Sequence, residues 1–79
     1  SMKFFYISNL PNPEGQFEIH EKECPYIPDA INRDYLGPFN NGKEAMRRGL
    51  QLKALAVLCK HCCANGFEAV FSPIKPKDS

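Results

Sequence analysis

The chain is predicted to form one small α+β domain, in which an antiparallel sheet made of a hairpin plus one or two short strands packs on one main helix. Three observations carry this prediction. Two apolar, aromatic-rich segments are divided by a turn containing two prolines and a glycine. One stretch with helical spacing follows, opened by a capping signature. Two short pairs of histidine and cysteine stand on either side of residues 25–58. At 79 residues, such a domain buries only about 60 to 65% of the surface its unfolded chain exposes. A staple beyond the apolar core is therefore expected.

The segment Lys3-Phe4-Phe5-Tyr6-Ile7-Ser8 is rich in aromatic and β-branched residues and reads as a strand. Asn9 to Gly15 holds Pro11, Pro13 and Gly15, which cannot continue a ladder. Phe17-Glu18-Ile19-His20 then alternates strictly, so a β-hairpin with a long loop is expected. Phe17 and Ile19 share one face of that strand and His20 points to the other.

Cys24 precedes Pro25, and proline suits the first turn of a helix, so Pro25-Tyr26-Ile27 is read as one helical turn closed by Pro28. Tyr35-Leu36-Gly37-Pro38-Phe39 is an extended segment whose proline confines it to an edge, a short third strand. Asn41 is the N-cap of the main helix, with Glu44 as its capping-box partner. Ala45, Met46, Gly49 and Leu50 recur at helical spacing, which predicts a helix from Gly42 to about Leu52 with Arg47, Arg48 and Gln51 in solvent. Leu55 to Leu58 leads to Cys59, and Asn65-Gly66 marks a turn before Phe67 to Phe71, read as a last strand. The domain is placed at residues 3–72, with Ser1-Met2 a tag remnant and initiator methionine and residues 73–79 a loose lysine- and proline-rich tail.

The two ligand pairs are His20 and Cys24, spaced H-x-x-x-C, and Cys59 and Cys62, spaced C-x-x-C. A C-x-x-C turn can present both sulfurs to one point about 2.3 Å away while its N–H groups satisfy their remaining lone pairs. Four soft ligands in two pairs are what tetrahedral Zn²⁺ takes in structural sites, where protein fills every position. His20, Cys24, Cys59 and Cys62 are accordingly the candidate metal ligands, for a structural zinc site of knuckle type. His61, inside the knuckle, is expected to point away from the sulfurs into solvent. Cys63 is the competitor for the place of Cys62, and otherwise a small buried apolar residue.

Other uses of the same residues fit less well. A thioredoxin-like site needs a long helix and several strands after its cysteines, and only residues 64–79 follow. A c-type haem motif needs histidine where Cys63 stands. Four cysteines also allow three disulfide pairings, including a strained Cys62–Cys63 bond. Hydrolytic zinc chemistry would leave one position for water and use a nearby base, for which Glu21 and Glu23 are the candidates. Gly37 and Gly42 match no phosphate-binding loop.

Charge bounds the partners. Ten basic and 9 acidic residues give a formal +1, and three thiolates with Zn²⁺ would bring that to about 0. This argues against nucleic acid as a partner. No apolar run approaches the roughly 18 to 20 residues of a membrane span, and Phe4 to Ile7 is too short for a signal sequence. A cytoplasmic location is expected, where thiols stay reduced and metal binding is favoured over disulfides.

The run F-E-I-H-E-K-E-C-P-Y-I-P, then Y-L-G-P-F-N-N-G-K-E-A, then C-K-H-C-C resembles a group of small, functionally uncharacterised bacterial proteins. Those share H-x-x-x-C, an L-G-x-F segment before an E-A helix, and a closing C-x-x-C-C. The resemblance spans about Phe17 to Cys63. The layout is also distantly similar to the metal-binding domain of the Ada DNA-repair protein, where a small sheet and helix hold zinc and one ligand thiolate accepts a methyl group. That site is all cysteine, whereas His20 stands here, so the likeness bears on fold rather than activity.

Two functions follow as expectations. The first is a non-enzymatic structural-zinc module acting through protein–protein contacts, with Tyr26, Tyr35 and Phe39 as exposed aromatics unless they belong to the core. The second is a thiolate-reactive protein, an Ada-like alkyl acceptor or redox sensor, using Cys62 or Cys63.

Overall fold

A computed structural model describes residues 1–63. The strand expected at residues 67–71, the end of the domain at residue 72 and the loose tail at 73–79 lie outside the described residues. The order of elements is β1 (Lys3–Ser8), β2 (Phe17–Glu21), a 3-10 turn (Ala30–Asn32), β3 (Arg33–Phe39), α1 (Gly42–Leu52) and β4 (Ala56–Leu58). The strands form a 4-stranded sheet in the order β3-β1-β2-β4, and α1 packs on one face. The architecture is α+β, but the sheet is mixed rather than antiparallel.

The hairpin forms as its alternation implies: β1 and β2 are antiparallel, with Tyr6 opposite His20 and Ile7 opposite Ile19. Asn12 organises the loop between them, its Oδ1 accepting from the N–H groups of Glu14 and Gln16 at 3.0 and 2.8 Å. Gly15 takes the left-handed conformation, φ 80°, that this turn requires.

Two expectations about the sheet need correction. β4 was read as a connector, yet it pairs parallel to β2, with Phe17 opposite Ala56 and Ile19 opposite Leu58. Bonds from Phe17 N–H to Leu55 O and from Cys59 N–H to Ile19 O, both 2.9 Å, flank the pairing. α1 supplies the return path that lets β4 run alongside β2. β3, expected to be short, spans 7 residues, and Pro38 sits on the sheet edge. Its register against β1 slips between Phe5 and Tyr6, which oppose Gly37 and Tyr35. Leu36 is the extra residue of this bulge and turns into the core.

The helix has the limits expected from its signals. Asn41 accepts from Glu44 N–H at 3.0 Å, while Glu44 Oε1 reaches back to the N–H of Asn40, one residue before the cap. Ala45 and Gly49 are buried, but Leu50 is 47% exposed, so the apolar stripe is narrower than the spacing suggested. A Cβ on Gly49 would stand 2.5 Å from Ile19 Cδ1. The missing side chain there lets helix and sheet approach and close the core of Phe5, Ile7, Ile19, Leu36, Ala45 and Leu58.

Pro25 to Ile27 is a turn rather than a helical turn, with Ile27 N–H donating to Cys24 O at 3.2 Å. Tyr26, on this turn, is exposed. No helix among the described residues is long and apolar enough to cross a membrane.

Candidate metal centre

Residues 20–24 and 59–62 meet at one end of the sheet because β2 and β4 run side by side in the same direction, with Leu58, the last residue of β4, opposite Ile19 just before His20. His20, at the end of β2, lies on the sheet face opposite Ile19 and the helix. The turn after β2 brings Cys24 back beneath it, with Cys24 N–H bonded to Glu21 O at 2.9 Å. Cys59 follows β4 directly, and a tight turn closed by Cys63 N–H to Cys59 O, 2.9 Å, returns Cys62 to the same point.

One donor atom from each of His20, Cys24, Cys59 and Cys62 lies within 4.8 Å of all the others, and the group could hold a metal ion. His20 Nδ1 is 3.5 Å from Cys24 Sγ, and Cys24 Sγ is 4.0 Å from Cys59 Sγ. On a tetrahedral ion bonded at about 2.3 Å to sulfur and about 2.1 Å to nitrogen, such pairs stand roughly 3.6 and 3.8 Å apart. The donors thus fit a four-coordinate ion with little movement. His20, Cys24 and Cys59 are buried, and Cys62 is partly exposed. All four cysteines are free thiols.

Each sulfur of the quartet already accepts a backbone N–H. Tyr26 N–H donates to Cys24 Sγ and His61 N–H to Cys59 Sγ, both at 3.4 Å and both from two residues downstream. Glu21 N–H donates to Cys62 Sγ at 3.3 Å, from β2 across to the knuckle. Such donors stabilise thiolate more than thiol and aim its free lone pairs. The imidazole is held similarly: Glu18 Oε1 lies 3.6 Å from Nε2, and Asn12 Nδ2 donates to Glu18 Oε2 at 3.3 Å. A carboxylate on that side favours the tautomer with its proton on Nε2, which leaves the Nδ1 lone pair toward the sulfurs.

Without a cation the site resists charge. Burial pushes the Cys24 thiol up to about 12 and raises Cys59 as well. The neighbouring Cys63 sulfur, followed by burial, raises Cys62. Burial also holds His20 below its usual value, against the opposing pull of Glu18. The result is three protonated thiols around a neutral imidazole, from which a cation must displace the protons.

The residues outside the quartet fall differently. Cys63 is buried, its Sγ donating to Ile19 O at 3.5 Å and lying 3.4 Å from Cys62 Sγ. His61 is exposed but not simply solvated: its ring stacks on Tyr26 with centroids 4.1 Å apart, joining the two ligand loops. Glu21 pairs with Lys3 at 3.4 Å, and Glu23 is exposed. Sequence reasoning had no signal for the Tyr26–His61 stack or for Glu18 behind His20; the former joins residues far apart in the chain. The alternation Glu18-x-His20, which puts both side chains on one strand face, could have suggested the latter.

Compared with protein-family models, curated proteins and solved structures, the chain matches none.

Proposed function

We propose that this chain is a non-enzymatic module whose fold is held by a structural Zn²⁺ on His20, Cys24, Cys59 and Cys62, and that it acts through protein–protein contacts. The observation that carries the reading is that four buried or part-buried donors converge while each sulfur also accepts a backbone N–H. A three-sulfur, one-nitrogen set with that support suits tetrahedral zinc, and four protein ligands leave no position for a reacting water. Bound there, zinc would cross-link the end of the hairpin to the turn after β4. Apparent binding free energies of about 10 to 16 kcal/mol in zinc-finger peptides exceed the 5 to 15 kcal/mol by which domains are commonly stable, or rival it.

Contacts with another protein would use the exposed aromatics. Tyr26 and Tyr35 are 60% and 52% exposed, whereas Phe39 packs on Phe5 with centroids 6.2 Å apart and belongs with the core. A row of Phe4, Tyr6 and Tyr35 lines one shallow groove of the sheet together with Lys22.

The second reading, a thiolate-reactive protein in the manner of the Ada metal-binding domain or a redox sensor, is favoured by one observation. Cys62 is the partly exposed member of the quartet and has a second thiol, Cys63, beside it.

Metal analysis of protein purified without added metal tests the first reading: about one zinc per chain is expected, and none would reject it. Thiol alkylation of the metal-loaded protein separates the two. Alkylation only in step with zinc loss supports the closed module, and one cysteine alkylated fast with zinc retained the reactive one.

A further inference from the structure

Cys63 is not part of the quartet, yet its sulfur lies 3.4 Å from Cys62 Sγ, closer than Cys24 Sγ lies to His20 Nδ1 or to Cys59 Sγ. A cleft of about 240 Å³ opens onto these two residues at the start of α1, lined among the described residues by Lys3, Glu21, Asn41 and Gly42. Cys24 and Cys59 have no place in that lining and are buried. A small polar reagent entering the cleft therefore meets both residues, of which Cys62 is the partly exposed one, with the Cys63 thiol within reach of whatever forms there.

We infer that Cys62 and Cys63 are a thiol modification site for hydrogen peroxide, at which Cys62 is oxidised and Cys63 resolves it to a Cys62–Cys63 disulfide that releases the metal. The inference rests on the metal-module reading and adds its regulation.

The Cys62 sulfur attacks one peroxide oxygen; the O–O bond breaks, a sulfenic acid forms, and hydroxide leaves and takes up a proton as water. The Cys63 sulfur then attacks the sulfenyl sulfur; the S–O bond breaks and a second water leaves with the Cys63 proton. Two thiols lose two electrons, which reduce the peroxide to two waters. The metal is left with three ligands, one fewer than a closed site needs.

Geometry also makes the bond easy to undo. Adjacent Cα atoms stand about 3.8 Å apart across a trans peptide, below the roughly 4.4 to 6.8 Å of relaxed disulfides. Strained disulfides are readily reduced, so a thiol reductant would restore the ligand and the site.

The test uses metal-loaded protein, its metal content measured first, treated with hydrogen peroxide, alkylated and digested with trypsin. Cleavage after Lys22, Lys53 and Lys60 puts Cys24, Cys59 and the Cys62–Cys63 pair on three separate peptides. The expected result is loss of two hydrogens within the peptide that begins at His61, with metal released in step and both changes reversed by dithiothreitol. Cys63→Ser retains all four ligands. Under peroxide it should gain oxygen atoms at Cys62 that dithiothreitol does not remove, and fail to regain metal. A disulfide joining the Cys24 and Cys59 peptides, an unmodified His61 peptide, or full recovery by Cys63→Ser would overturn the inference. The metal content before peroxide reports separately on the reading beneath it.

Discussion

Glu18 stands behind His20: its Oε1 lies 3.6 Å from Nε2, on the side of the ring away from Cys24. Both residues project from the sheet face opposite the helix, two positions apart on β2. Asn12, from the hairpin loop, holds the second carboxylate oxygen at 3.3 Å. Loop and strand together thereby favour the ring orientation in which Nδ1 faces Cys24 Sγ.

Removing that support should weaken metal binding without unfolding the loaded protein. Glu18→Ala is expected to lower metal affinity roughly 10- to 100-fold, the usual effect of losing such a partner. Competition with a chromophoric chelator measures it. An unchanged affinity would mean that Glu18 does not orient the ring.

Metal affinity should rise with pH through the neutral range. The thiols are held above their ordinary value and so carry protons at pH 7, whereas His20, held low, carries none on its ligand nitrogen. Binding releases about three protons, and the apparent association constant climbs about a thousandfold per pH unit between pH 7 and 8. Calorimetry in buffers of different ionisation enthalpy counts the protons directly; a release near one would contradict a three-thiolate site.

Gly49→Ala should destabilise the protein despite alanine's advantage in a helix of about 1 kcal/mol. The new Cβ would stand 2.5 Å from Cδ1 of the fully buried Ile19, and overpacking of this kind costs about 1 to 3 kcal/mol. Ile19→Val removes the clashing methyl, so the double variant should lose less than the sum of the two single losses. Additive losses in denaturant unfolding would place the cost elsewhere.

Metal removal should unfold the chain, because the core of a domain this small is thin. Excess chelator is expected to abolish most of the far-ultraviolet circular dichroism, with recovery on adding zinc. An unchanged spectrum would show that the core suffices.

Local signals carried the sequence reading as far as they act. Asn41 and Glu44 mark the helix start because capping is a short-range interaction, and the alternation from Phe17 to His20 places the hairpin strand correctly. β4 escaped because three residues cannot display a period, and its partner β2 lies far away in the chain. β3 was read too short because its first two residues, Arg33 and Asp34, are charged and carry no strand signal of their own. In the site, the spacings named four residues that the fold gathers. The N–H from Glu21 to Cys62 and the stack of Tyr26 on His61 come from packing, which no local pattern records.

The most direct test of a zinc site on one histidine and three cysteines is X-ray absorption at the zinc edge, on protein loaded with one equivalent. Three sulfurs at about 2.3 Å and one nitrogen at about 2.0 to 2.1 Å are expected. Four sulfurs would put Cys63 in place of His20, and a water oxygen in the shell would open the site to chemistry; either result would contradict that ligand set.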